Sequence, residues 1–300
     1  MITVFGSINV DLVCRVAKVP RPGETVRGSE YALIPGGKGA NQALAARRAG
    51  AAVRLVGTIG DDDLGKVALA ELQPAGVDLA AVSRRRGTTG LAIITVDETG
   101  ENTIVLSPGA NAVTRAAQVA PGMLSRGDTL LLQLEVPLAD SLAVAGLAEQ
   151  AGARVILSIA PFLPLRPEAV APVSILIVNQ HEARDLARSL GLPDEGEEEV
   201  VAALAERFGR TVIATLGPHG AVAAGEAGLV RVPAQAVKPV DTTGAGDTFA
   251  GVLAALLDEG KDLKTAMAHA AVAGSLACTI LGAQPSFPVR AAIEAAIPKS

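Results

Sequence analysis

Short apolar runs bounded by glycine or polar residues alternate along this chain with stretches whose apolar positions recur every three or four residues. Ile2–Phe5 is a run of the first kind and reads as a buried strand. Similar runs fall at 54–58, 91–96, 129–134, 154–158, 175–178 and 211–216. Between most of them lie helical patterns, notably at 141–151, 182–189 and 200–208, and an alanine-rich helix runs from Gln42 to Gly50. A β-prone run at 235–240 leads into the clearest helical period, in which Phe249, Val252, Leu253, Leu256 and Leu257 recur at i, i+3, i+4, i+7 and i+8. Such alternation predicts an α/β fold, a mostly parallel central sheet with helices on both faces. The stretches 12–33 and 89–107 break the rhythm with β-prone residues and a turn at 98–102, and support extra antiparallel strands. With no internal repeat or low-complexity linker, residues 1–300 read as one domain.

Composition narrows the class. Hydrophobic residues make up 49% of the chain but aromatics only 2%, with no tryptophan, so Ala, Val, Leu and Ile must build the core. A net charge of −5 argues against nonspecific nucleic-acid binding. Arg84-Arg85-Arg86 reads as a solvated loop, and Glu197, Glu198 and Glu199 as a helix start where acidic side chains suit the dipole. Cys14 and Cys278 are too few for a disulfide framework. The first residues lack the basic start and apolar core of a signal peptide, and no apolar run is long enough for a membrane span. The expectation is a soluble cytoplasmic protein with neither nucleic acid nor membrane as partner.

The chemistry concentrates at 241–257. Gly244, Ala245 and Gly246 stand where that helix begins, their small side chains leaving backbone N–H groups open at the positive end of the dipole. That arrangement suits phosphate oxygens. Asp247 follows, and a carboxylate there repels an anion unless it has a task such as taking a proton from an attacking hydroxyl. A glycine turn with a capping aspartate gives the same pattern. In Gly36-Gly37-Lys38-Gly39-Ala40-Asn41, the glycines permit close approach of a ligand, Asn41 offers donor and acceptor to a sugar hydroxyl, and Lys38 offers charge to phosphate or sits on an exposed loop. The Walker A spacing is absent. Asn9 and Asp11 alternate with Ile8 and Val10, so both face one side of an extended segment, unless they form a plain Asx turn. Gly244 to Gly251 does not give GxGxxG, and His181-Glu182-Ala183-Arg184-Asp185 ends in aspartate where a zinc-protease HExxH needs histidine.

These segments recur in order with Pro22-Gly23-Glu24-Thr25, Gly60-Asp61-Asp62-Asp63-Leu64-Gly65, Gly109-Ala110-Asn111, Asn179 with Glu182, and Gly282-Ala283-Gln284-Pro285-Ser286. On them the chain resembles the ribokinase-like (PfkB-type) sugar kinases over nearly its whole length. Residues 36–42 and 282–286 look like the branch that acts on ribose rather than fructokinase or adenosine kinase.

The resemblance implies ATP-dependent phosphorylation of D-ribose at O5 to D-ribose 5-phosphate, with 2-deoxyribose or a nucleoside as the alternative acceptor and a catalytically silent sugar- or nucleotide-binding protein as the alternative class. It implies Asp247 as general base, with Gly244, Ala245 and Gly246 forming the anion hole beside it. The sugar would be held by Asn9, Asp11, Gly37, Lys38, Gly39, Asn41, Glu135 and Asp247. The nucleotide would meet Asn179, Thr215, Leu216, Gly217, Pro218, His219, Gly220 and Gly246. Glu182 would organise Mg²⁺ through water, and K⁺ would sit among Asp241, Thr243, Ala277, Ile280, Gly282 and Ser286. The family often carries Asn or His near the adenine where this chain has Ala271, and His269 is the nearby substitute. The stretches 12–33 and 89–107 would form a small β-sheet lid over the sugar that pairs two subunits into a homodimer.

Overall fold

Strands that are apolar on both faces are satisfied only between two layers of helix, and this chain builds that arrangement. The computed structural model describes residues 1–99 and 101–297. In chain order the strands are β1 (Ile2–Phe5), β2 (Asn9–Val16), β3 (Gly28–Gly36), β4 (Val53–Gly60), β5 (Val82–Arg85), β6 (Gly90–Val96), β7 (Asn102–Ser107), β8 (Thr129–Leu132), β9 (Arg154–Ser158), β10 (Ile175–Asn179), β11 (Thr211–Thr215), β12 (Ala221–Ala224) and β13 (Val230–Val232). The helices are α1 (Lys38–Arg48), α2 (Leu64–Ala68), α3 (Leu72–Ala75), α4 (Leu138–Ala151), α5 (Gln180–Ser189), α6 (Glu197–Phe208), α7 (Ala245–Asp258), α8 (Leu263–Ala277), α9 (Ala283–Ser286) and α10 (Arg290–Ala296).

A nine-stranded sheet has the order β13-β12-β11-β10-β9-β8-β1-β4-β5. It is parallel from β11 to β5, and an antiparallel hairpin closes the other edge. Alternation along the strands divides the core. Ile2, Val4, Leu131, Ile156 and Ile213 pack under α1, α7 and α8, while Phe5, Leu130, Leu132, Leu157 and Leu176 pack under α4, α5 and α6. Gly251 sets how closely α1 and α7 cross, because a Cβ there would lie 2.6 Å from the Gln42 carbonyl and 2.7 Å from Ala45 Cβ. Their N-terminal ends, carrying Asn41 and Asp247, are thereby brought together.

The second sheet has four strands in the order β3-β2-β6-β7. The expectation of purely antiparallel strands is corrected here, since β2 and β6 pair in parallel. β1 and β5 run parallel in the large sheet through β4, and β2 and β6 follow them after short connections, so both enter the small sheet in the same direction. In the predicted turn at 98–102, the Asp97 carboxylate accepts from the N–H groups of Thr99 and Glu101, while Gly100 lies outside the described residues.

Three other expectations change. Arg84 and Arg85, read as a solvated loop, are exposed residues at the end of β5. The 235–240 run forms no strand: it finds no neighbouring ladder, and Gln235, Ala236, Val237 and Pro239 instead line a cavity. The strand expected at 129–134 ends at Leu132, leaving Gln133 free to turn its amide into the interior.

Candidate active site

The site forms where the carboxyl ends of the parallel strands meet the N-termini of α1 and α7, with β2 of the small sheet above them, the position open α/β sheets offer for ligands. Gly37, at φ 90°, turns the chain so that α1 starts at Lys38. Lys38, Gly39 and Asn41 are therefore helical rather than loop residues. Gly39 is given over to packing, since a Cβ there would stand 2.6 Å from the backbone of Gly6 and Ser7, and its N–H donates to Ser7 Oγ.

Polar groups converge on this pocket from separate elements. Asn9 is buried, and its Oδ1 accepts from Asn111 Nδ2 at 2.6 Å. Asn111 also accepts from the Ile8 N–H at 2.9 Å, which sets how β2 leaves the core. Gly90 makes room, because a Cβ there would fall 2.1 Å from Asn9 Oδ1. Glu135 is pinned through Oε2, which accepts from Ser7 Oγ at 2.6 Å and from the Lys38 N–H at 3.1 Å. Burial, and then the charges of Glu135 and Asp247, push the Asp11 carboxyl up to about 7, against the opposing pull of Lys38. The Lys38 ammonium is raised chiefly by Asp247, against burial, with help from Glu135, Glu182 and Asp11. The result is one half-buried cation among acceptor oxygens, a lining able to bond hydroxyls.

Asp247 lies in the first turn of α7 behind Gly244, whose φ of 78° is left-handed. Asn41 Nδ2 donates to its Oδ2 and Gln42 Nε2 to its Oδ1, each at 3.0 Å. Gln133 Nε2 donates in turn to Gln42 Oε1 at 2.6 Å, and Gln284 Nε2 to Asn41 Oδ1 at 3.1 Å. The Ala245 N–H makes a long 3.3 Å contact with the Thr242 carbonyl, while Gly246 and Asp247 present first-turn N–H groups with no acceptor within the helix.

Beside this turn lies a cavity of about 450 Å³ lined by Thr215, Gly217, Pro218, Gly220, Gly246 and Ala271, among others. Leu216 is buried in the core instead, and neither His219 nor Asn179 lines the cavity. His269 is also absent from the lining and bonds through its ring nitrogen to the Thr265 carbonyl at 2.8 Å. Asn179 and Glu182 form a reciprocal capping box at the start of α5: Asn179 Oδ1 accepts from the Glu182 N–H, and Glu182 Oε2 from the Asn179 N–H. Burial first, with Asp247 adding, raises the Glu182 carboxyl. Asp241 bridges two loops, with Oδ1 accepting from Thr243 and Oδ2 from the Gly282 N–H at 2.8 Å. Burial opposes ionisation of Asp241, but these bonds outweigh it and hold the carboxyl below its usual range. Ser286 Oγ is buried nearby in α9 and donates to the Ala283 carbonyl.

The residues that sequence reasoning left without a role are Gln42, Gln133, Gln284 and Asn111. Gln42, Gln284 and Asn111 fall inside recognised motifs, but no local spacing links them to Asp247 or Asn9.

Fold and site together define an α/β protein in which a buried carboxylate stands among polar side chains at a helix N-terminus with open N–H groups. Residues 1–290 match the pfkB family of carbohydrate kinases. The chain is 38% identical to a ribokinase of Bacillus subtilis over 296 residues, covering 98% of each. It superposes on a Thermotoga maritima ribokinase with a TM-score of 0.91 at 35% identity, covering 98% of each chain. It also superposes on the Arabidopsis thaliana ribokinase complexed with ribose and ATP, with a TM-score of 0.89 at 31% identity over 100% of this chain and 99% of that one. The chain belongs to the pfkB family of carbohydrate kinases.

Proposed function

We propose that the protein transfers the γ-phosphoryl group of ATP to the 5-hydroxyl of D-ribose, releasing ADP and D-ribose 5-phosphate. The observation that carries this reading is the position of Asp247, buried between the polar pocket of Asn9, Asp11, Lys38 and Glu135 and the open N–H groups of α7. The relatives that are ribokinases, one of them complexed with ribose and ATP, support the choice of acceptor and donor.

Phosphoryl transfer asks the protein mainly to position reactants and to meet developing charge. Asp247 accepts the proton of the sugar hydroxyl as that oxygen attacks phosphorus. The N–H groups of Ala245, Gly246 and Asp247 receive the transferred oxygens, and Lys38 offsets their charge. Asn9, Asp11, Gly37, Asn41 and Glu135 hold the remaining hydroxyls. The cavity beside Gly246 takes the nucleotide, with Thr215 and Gly217 at its wall. When bound with ATP, Mg²⁺ neutralises phosphate charge. Glu182 suits a water-mediated hold on that ion, because its carboxyl senses both Lys38 and Asp247. An ionised Asp241, the Ser286 hydroxyl and the backbone oxygens of Thr243, Ala277, Ile280 and Gly282 make an all-oxygen set that fits K⁺.

The small sheet acts as the lid of a single domain and as the surface of a homodimer. Residues opposite one another in register share a face, and Tyr31, Leu33, Ile93 and Val105 expose one apolar face of that sheet. Among the described residues no helix is long and apolar enough to cross a membrane. Use of ATP supports a cytoplasmic location.

Coupled ADP release with ATP, Mg²⁺ and K⁺ across ribose, 2-deoxyribose, fructose and adenosine tests this reading. Ribose should give the highest kcat/KM. A preference for adenosine or 2-deoxyribose keeps the chemistry and removes the acceptor assignment, and silence on all of them removes both.

A further inference from the structure

The amides around Asp247 form an ordered chain, and what they imply rests on the assignment of Asp247 as the base. Gln42, Gln133 and Gln284 are fully buried, with Asn41 and Asp247 nearly so. A carboxylate has little preference of its own about the torsion that sets its plane, so outside donors must choose it. Here each oxygen receives one amide hydrogen, Oδ1 from Gln42 and Oδ2 from Asn41, and each keeps a further lone pair for a sugar hydroxyl.

The second layer decides which way the inner amides point. A flipped Gln42 would set its carbonyl oxygen against an anionic oxygen of Asp247. The bond from Gln133 Nε2 to Gln42 Oε1 at 2.6 Å opposes that flip, and it is the bond that satisfies Gln133, whose buried Oε1 has no partner among the described residues. Gln133 is itself held at a spot only glycine allows, since a Cβ on Gly6 would lie 1.9 Å from its Oε1. Mutual satisfaction of buried amides would not need a carboxylate at the centre, nor an outer layer whose sole bond to the inner one fixes its donor end.

We propose that Gln42, oriented by Gln133, is a positioning residue that fixes the carboxylate plane of Asp247, so that a lone pair meets the sugar hydroxyl proton during transfer. Gln42 does not touch substrate and acts only through Asp247.

The test is steady-state kinetics on the full-length enzyme, with thermal midpoints, for Gln42→Met, Gln42→Asn, Gln133→Leu and the double variant Gln42→Met/Gln133→Leu. Asp247→Asn serves as reference. Both Gln42 variants should lose about 10- to 100-fold in kcat, with KM for sugar and ATP within about 2-fold of wild type. Gln133→Leu should lose less, and the double variant should fall no lower than Gln42→Met, because the outer amide works only through the inner one. Near wild-type kcat in the Gln42 variants overturns the proposal, as does a loss that appears in KM and thermal midpoint but not in kcat. Should Gln42→Met fail to fold, Gln42→Asn, which keeps a buried amide but withdraws it from Asp247, decides alone. An Asp247→Asn enzyme with undiminished turnover removes the base assignment itself. An inactive Asp247→Asn beside unimpaired Gln42 variants removes only the positioning role.

Discussion

Lys38 balances a pocket that would otherwise be crowded with negative charge. Its ammonium answers Asp247 first and Glu135, Glu182 and Asp11 after it, which lets the proposed base stay close to the groups proposed to bind neutral hydroxyls. Replacing Asp247 by Asn keeps the shape and removes the proton acceptor. Turnover should fall by about 10²-fold or more, while calorimetry should still find sugar binding. Retained turnover would overturn the assignment. Asp11 shows the cost of the arrangement. Its carboxyl ionises at 3.8 in the unfolded chain and at about 7 in the fold, so between those values the folded protein holds the extra proton. The contribution of Asp11 to stability of the sugar-free enzyme should therefore be fully present below pH 3.8, decline as pH rises toward 7, and level off above it. Asp11→Asn should remove that component, worth on the order of 1–4 kcal/mol. The thermal midpoint of the variant should gain on wild type across the window, and a difference independent of pH would refute it.

At the level of elements, the site depends on how closely α1 approaches the chain leaving β1. Gly39 faces the backbone of Gly6 and Ser7, which cannot move aside as a flexible side chain would. Gly39→Ala should cost about 1–3 kcal/mol in chemical denaturation and lower turnover as well, because Lys38, Asn41 and Gln42 move with the helix. Loss of neither would mean the contact yields. The Asp241 loop makes a second test. If its oxygen set holds K⁺, exchanging K⁺ for Na⁺ should lower kcat, and indifference to the exchange would count against the site.

Much of this architecture was legible because its signals are local. Ile2–Phe5 and Arg154–Ser158 appear with the bounds expected, since a doubly buried strand reads as a short, largely apolar run. The 235–240 run is broken by Lys238 and by Pro239, which has no N–H to give a ladder, and it becomes the wall of a cavity. The glycines at 36–39 signalled tight turning, but not that Lys38 opens the helix, which depends on Gly39 fitting against Gly6. Asp247, Asn9 and Asp11 could be singled out from neighbouring residues. Gln133 and Asn111 could not be given roles, because their partners are remote in sequence and meet only through the fold.

Over the whole molecule, the small sheet and the core are joined where β2 and β6 follow β1 and β5 out of the large sheet. Near that junction Asp62 accepts from the Thr89 hydroxyl at 2.6 Å and from its N–H at 3.0 Å. The lid's apolar outer face is then the surface on which the proposed assembly turns. Val105→Glu, exposed on the edge strand of that face, should shift sedimentation from dimer to monomer with the monomer still folded. A dimer that persists would place the subunit contact elsewhere. The same face holds Tyr31, 67% exposed and the only tyrosine of a chain without tryptophan. Nearly all ultraviolet emission excited above the phenylalanine band must therefore arise from one phenol on the lid. Without any label, the intensity and quenching of that emission report whether this face is wet or covered, and leave the interior dark.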